Sequence, residues 1–256
     1  CALPILVLNV LIYVACHVYF WAQLFFNKVM PVSNIWSLLG SWQYLGLLFL
    51  TIAIAIGVNS FFSKKICNYD GTEKTYAESA QAAKSLPIVS IVLPLLLMTL
   101  LPVVLSGAAS AKGIFFSAPP VWLVAIGSVF LVALISYIIW MQRFEPWIVW
   151  LPLTQKYTSM PHVARSVIVA FFSASGVSLC SAAAMFLVVQ DVPLAEVMVF
   201  HFMPTALVGL VFSMIDFYLQ SRGTSVRLKE IVTATASLAN RDFSIQELPV
   251  LSRDEF

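Results

Sequence analysis

The chain has 256 residues, of which 61% are hydrophobic and 10% charged, with a formal net charge of +2. A soluble domain is about half apolar and about one quarter charged, so a water-soluble fold of this length could not hide so much apolar surface and lipid must cover it. The small net charge gives no sign of a nucleic-acid partner.

Six segments are long and apolar enough to cross about 30 Å of hydrocarbon at about 1.5 Å per residue. In chain order they run over 2–26, 42–62, 87–107, 121–141, 167–190 and 195–219. Their apolar runs are continuous rather than alternating. Only helices and closed barrels satisfy the backbone in lipid, so these segments are expected to be helices and the fold class to be an all-α membrane protein. Of the connections, 27–41, 108–120 and 191–194 are too short to fold as a ligand-binding domain. The polar, alanine-rich loop from Ser63 to Ser85 can extend the third span as a helix. The segment Trp147–Val163 is apolar but broken by Pro152 and Pro161, and is expected to lie along the membrane surface.

Basic residues orient the chain. With the C-terminus in the cytoplasm, Lys64, Lys65, Lys74, Lys84, Arg143, Lys156, Arg165, Arg222, Arg227, Lys229, Arg241 and Arg253 lie inside, and only Lys28 and Lys112 outside. The positive-inside rule therefore predicts a multi-pass protein of the cytoplasmic (inner) membrane with both ends cytoplasmic. Interfacial aromatics agree: Trp36, Trp42 and Tyr44 outside; Tyr137, Trp140, Phe144, Trp147, Trp150, Phe217 and Tyr218 inside.

Cys1 and Phe256 suggest a piece of a longer protein, since the first residue is not Met and the last falls inside a motif. A lipid-modified N-terminal cysteine is the disfavoured alternative for Cys1, because a span follows at once. The four cysteines have no disulfide or metal spacing. No phosphate loop, nucleophile elbow, zinc pattern or pair of catalytic carboxylates is present, so no catalytic residue and no cofactor is assigned, and any enzymatic domain would follow residue 256.

Ionisable residues inside spans are costly and often functional. His17 in span one and His201 in span six count to similar depths and are the only cofactor-binding candidates. With no further ligand in sight, each is expected to hydrogen-bond a neighbouring helix instead, and no metal site is assigned. Pro204 removes a backbone bond to Phe200 and should bend span six. Pro87, Pro94 and Pro102 can make span three irregular. Asp216 is expected to reach headgroup water rather than to pair with Arg222.

Beyond Arg222 the pattern changes. Leu228, Ile231, Thr235 and Leu238 follow a 3-4-3 spacing, the seam of a helix made to pack on partners. The helix should stop near Asn240–Asp242. A connector follows with Phe243, Ile245, Leu248, Val250 and Leu251, then Ser252-Arg253-Asp254-Glu255-Phe256. This stretch resembles a HAMP domain, the relay of bacterial chemoreceptors, sensor kinases and membrane-anchored cyclases. Leu238-Ala239-Asn240-Arg241-Asp242-Phe243-Ser244 occupies the family's "I-A-x-G-D-L-S" pattern, and Asp254-Glu255 its "D-E-x-G". Arg241 stands where glycine is usual and Arg227 where a proline often starts the helix. The resemblance implies a six-helix sensor over 1–220 and the first helix and connector of HAMP over 221–256. It also implies a homodimer joined through the seam, a downstream cytoplasmic signalling domain, and relay roles for Phe217, Tyr218, Leu228, Ile231, Leu238, Asp242, Asp254 and Glu255. The expected output is that of a methyl-accepting chemoreceptor. A membrane-anchored adenylate or guanylate cyclase is the alternative, ahead of a sensor kinase and of a transporter. A plain juxtamembrane helix with no relay role is the reading these expectations compete with.

Overall fold

In the computed structural model, residues 3–152 and 162–239 are described, and all their regular elements are helical. Six helices are long and apolar enough to cross a membrane: Leu6–Phe26, Trp42–Cys67, Glu73–Ala111, Ala118–Trp147, Ser166–Met185 and Leu194–Arg222. The chain is thus an all-helical protein suited to a multi-pass membrane setting. "Lower" below denotes the face where the first span starts and the last span leaves.

Span one, α1 (Leu3–Phe26), sits centrally. Its residues Ile12, Cys16, Phe20 and Leu24, one per turn, have no exposure at all. It closes with a left-handed residue at Lys28 (φ 47), where Val29 N–H reaches back to Leu24 O at 3.2 Å. Glycine is usual at that position. A short helix, α2 (Val32–Leu39), follows on the upper face and buries Ile35 and Leu38. This segment was expected only as a short loop.

Span two, α3 (Trp42–Cys67), starts from Ser41, whose hydroxyl accepts from Tyr44 N–H at 3.4 Å. Span three, α4 (Glu73–Ala111), is 39 residues long, about 58 Å at 1.5 Å per residue. The polar loop therefore does extend it. Thr72 caps the helix, and in the turn before it the Asp70 carboxylate accepts from Thr75 Oγ and Thr72 N–H. The Thr75 hydroxyl, ahead of the Thr72 backbone, pulls the Asp70 carboxyl down to about 2. Pro87, Pro94 and Pro102 are buried within this one continuous helix. The upper end of α4 closes on Gly113 (φ 64), with Ile114 N–H on Ala109 O and Gly113 N–H on Ser110 O, a Schellman end that only a residue without Cβ adopts at no steric cost.

Span four joins α5 (Ala118–Ser128) to α6 (Leu134–Trp147) through a π-helical turn, Val129–Ala133. Ser128 donates to Val124 O at 2.7 Å just before the widening, a competing bond of the kind that bends helices. Span five is α7 (His162–Met185). Span six comprises α8 (Leu194–Val197), a second π turn at Met198–Phe202, and α9 (Met203–Ala239).

Small residues let the last three spans approach closely. Gly127 of α5 lies against Gly176 and Cys180 of α7, and Gly209 of α9 lies against Val177. Membrane helices have no hydrophobic force between them and use such close backbone contact instead. α7 packs against both span four and span six, α6 also meets α9 directly, and α1 and α4 pack on span four with α3 against those two.

Candidate functional site

The spans carry three groups of buried polar side chains. In the lower half, Asn9 of α1 donates to Asn59 Oδ1 of α3 at 2.9 Å and to Ser90 Oγ of α4 at 2.8 Å. Asn59 donates in turn to Ala55 O at 2.8 Å. All three side chains are buried. This clamp ties spans one, two and three together, and the sequence reading missed it. Two asparagines in otherwise apolar runs were the available signal.

At the upper end, Asn27 accepts from Thr205 Oγ1 of α9 at 2.9 Å and donates to Gln23 Oε1 at 3.0 Å. Beside it His201 Nδ1 lies 3.0 Å from Phe26 O. A carbonyl only accepts, so Nδ1 carries the hydrogen. His17 is equally buried but lies against the edge of the Tyr44 ring, 5.7 Å between centroids. The expectation of similar depth needs correcting: His201 is level with the end of α1, and His17 is nine residues, about 13 Å, further down that helix. Span six starts at Leu194, above the end of α1, so counting each histidine from the end of its own span made the depths look alike. The structure does not bring the two histidines together. Among the described residues no three His, Cys, Asp or Glu side chains gather as a metal site would need.

The third group belongs to α9. Below His201 of the π turn, its inward face holds the buried Thr205, Gly209 and Asp216 and the half-buried Gln220, whereas Met203, Leu207, Leu210, Met214, Phe217 and Tyr218 point outward and are exposed. The inward contacts are polar or small. Asp216 Oδ2 accepts from Ser173 Oγ of α7 at 3.0 Å; Gln220 Nε2 donates to Ser166 Oγ at 2.7 Å; and Gln142 Nε2 of α6 donates to Leu219 O at 3.2 Å. Asp216 has no exposure, so it does not reach headgroup water as expected. It faces α7 because the apolar side chains take the opposite side of the helix. Glu145, near the lower end of α6, is a second buried carboxylate that the sequence did not single out.

Span six is the least buried of the six. Only 17% of it is buried, against 50% of span four. Hydrogen bonds between membrane helices contribute about 0.6 kcal/mol each, so the polar contacts of α9 add little to the cost of shifting it.

α9 runs without a break from inside the span, through Gly223, to Ala239. Leu228, Ile231, Val232 and Thr235 are exposed on it. Leu238 lies in its last turn. Asp242, Asp254 and Glu255, with the whole connector, lie outside the described residues. Phe217 and Tyr218 are exposed, as an interfacial pair would be.

Compared with protein-family models, with curated proteins and with solved structures, the chain matches none.

Proposed function

We propose that this chain is the membrane-embedded sensor of a homodimeric bacterial signal transducer of the HAMP type, most akin to a methyl-accepting chemoreceptor. Its setting is the cytoplasmic membrane, with both ends of the chain in the cytoplasm. The observation that carries the reading is the single helix Met203–Ala239, which joins the least buried span to an exposed apolar seam. A rigid helix transmits a shift or rotation at one end to the other. A lone amphipathic helix cannot bury its stripe, so Leu228 and Ile231 await a partner, and a second copy of the same seam is the simplest one. Packing between two such seams has discrete alternatives, which converts small movements into two states. The twelve-to-two division of basic residues supports the orientation.

In the full-length protein, Ile231→Asp places a charge in the seam. Membrane insertion is expected to be unchanged, while the output becomes fixed at one level. An output that still responds as the parent does refutes the relay.

A further inference from the structure

Asp216 is a carboxyl group in the lower part of span six, six residues before Arg222, with no exposure and one described hydrogen-bond partner, Ser173 Oγ. Its other oxygen, Oδ1, is buried and meets no donor among the described residues. An ionised carboxylate offers about four acceptor sites, so one hydroxyl leaves it far from satisfied. No described cation forms an ion pair with it. On α9 itself Tyr218 points outward, Arg222 is exposed six residues on, and His201 of the π turn is bound to α1 four turns above. From α7 the facing group is Ser173. Cys180 lies two turns above it against Gly127, and the side chains of His162 and Arg165 are not described. From α6 Tyr137 packs into the cluster of Leu134, Ile138, Val169, Phe172 and Leu219 beneath the carboxyl. Arg143 is exposed, and Glu145 is buried over two turns beyond Tyr137 along α6. The turn Val129–Ala133 brings nothing titratable, and from α1 Tyr19 packs at a tilt against Phe212, one turn above Asp216.

We propose that Asp216 is a proton-binding latch between spans five and six, so that gain or loss of one proton changes how α7 grips α9. The two protonation states bond differently. Ionised, the carboxylate accepts from Ser173 and needs further donors, which only water or a shift of α9 supplies. Neutral, it carries its own O–H and can donate to Ser173 Oγ, releasing the serine hydroxyl to the carbonyl one turn back on α7. Because so little of span six is buried, a change at this contact is expected to move the helix. Asp216 lies twelve residues, about 18 Å, above Leu228 on the same rigid rod. The step from latch to output rests on the relay reading; the latch itself does not.

The test uses the chain in phosphatidylcholine–phosphatidylglycerol vesicles, with Cys67→Ser and spin labels at Val167→Cys of α7 and Ser225→Cys of α9. Both positions are exposed. The distance between labels, measured from acid to alkaline pH, is expected to follow a one-proton titration that Asp216→Asn abolishes. Ser173→Ala keeps the carboxyl and removes its donor, and is expected to move the midpoint by about one pH unit, the worth of one charge-assisted hydrogen bond. A distance that is the same at every pH overturns the proposal, as does a titration that survives Asp216→Asn. Should Asp216→Asn fail to insert, an unmoved midpoint in Ser173→Ala overturns it. A titrating distance together with an unresponsive output in the full-length protein leaves the latch standing and removes the relay.

Discussion

Three glycines decide how closely the last three spans meet. A Cβ on Gly127 would stand 2.5 Å from Cys180 Sγ, one on Gly176 2.8 Å from Leu131 Cγ, and one on Gly209 2.7 Å from Val177 Cγ2. Gly46 on α3 has nothing within 4 Å. Overpacking a tight contact costs about 1–3 kcal/mol, whereas alanine in an open helical site gains up to about 1 kcal/mol. Gly127→Ala is therefore expected to lower Tm in detergent while Gly46→Ala holds or raises it. Equal Tm values would contradict the crossing. None of this was legible in the sequence, where a glycine in an apolar run looks the same whether it faces a neighbour or lipid. The burial of Asp216 was hidden for the same reason. A carboxylate six residues from a basic flank reads as interfacial until the side it faces is known.

The spans themselves were legible, since hydrocarbon thickness sets their length and leaves the backbone no alternative to a helix. The extension of span three was legible too, from its alanine-rich polar run. The two π turns divide differently. Pro204 marks the one at Met198–Phe202, because a residue without N–H breaks the regular ladder. The turn at Val129–Ala133 has only Ser128 beside it, and serine is common in membrane helices. Helix α2 was missed because eight residues between two spans read as connection. The clamp of Asn9, Asn59 and Ser90 sits at this scale, joining three elements through hydrogen bonds that hydrocarbon cannot replace. Asn9→Leu is expected to weaken the packing of spans one to three by about 1 kcal/mol, in line with the strength of single polar contacts between membrane helices. Tm in detergent reads it, and a variant as stable as the parent would show that the clamp holds nothing.

For the whole molecule, topology comes first. Lys112 donates to Ser37 O at 2.6 Å and to Ser37 Oγ at 3.2 Å, tying the end of α4 to α2 on the upper face. The proposed orientation, with both ends cytoplasmic, predicts that a cysteine at 112 reacts with impermeant reagents only from outside, and labelling from the cytoplasm would invert the arrangement. The proposed HAMP relay rests on the sequence alone, on the spacing Leu228, Ile231, Leu238 and the Asp254-Glu255 pair. Its backbone support is the continuity of α9, and its connector lies beyond the described residues. What most directly tests the account is whether two copies meet along that seam. In native membranes, with Cys67→Ser as background, oxidation of Ile231→Cys in the full-length protein is expected to give a disulfide-linked dimer. Val208→Cys, exposed on the span itself, serves as a control and is expected to stay monomeric. A monomer at 231, repeated with Leu238→Cys, would contradict the relay and leave only a helix beside the membrane.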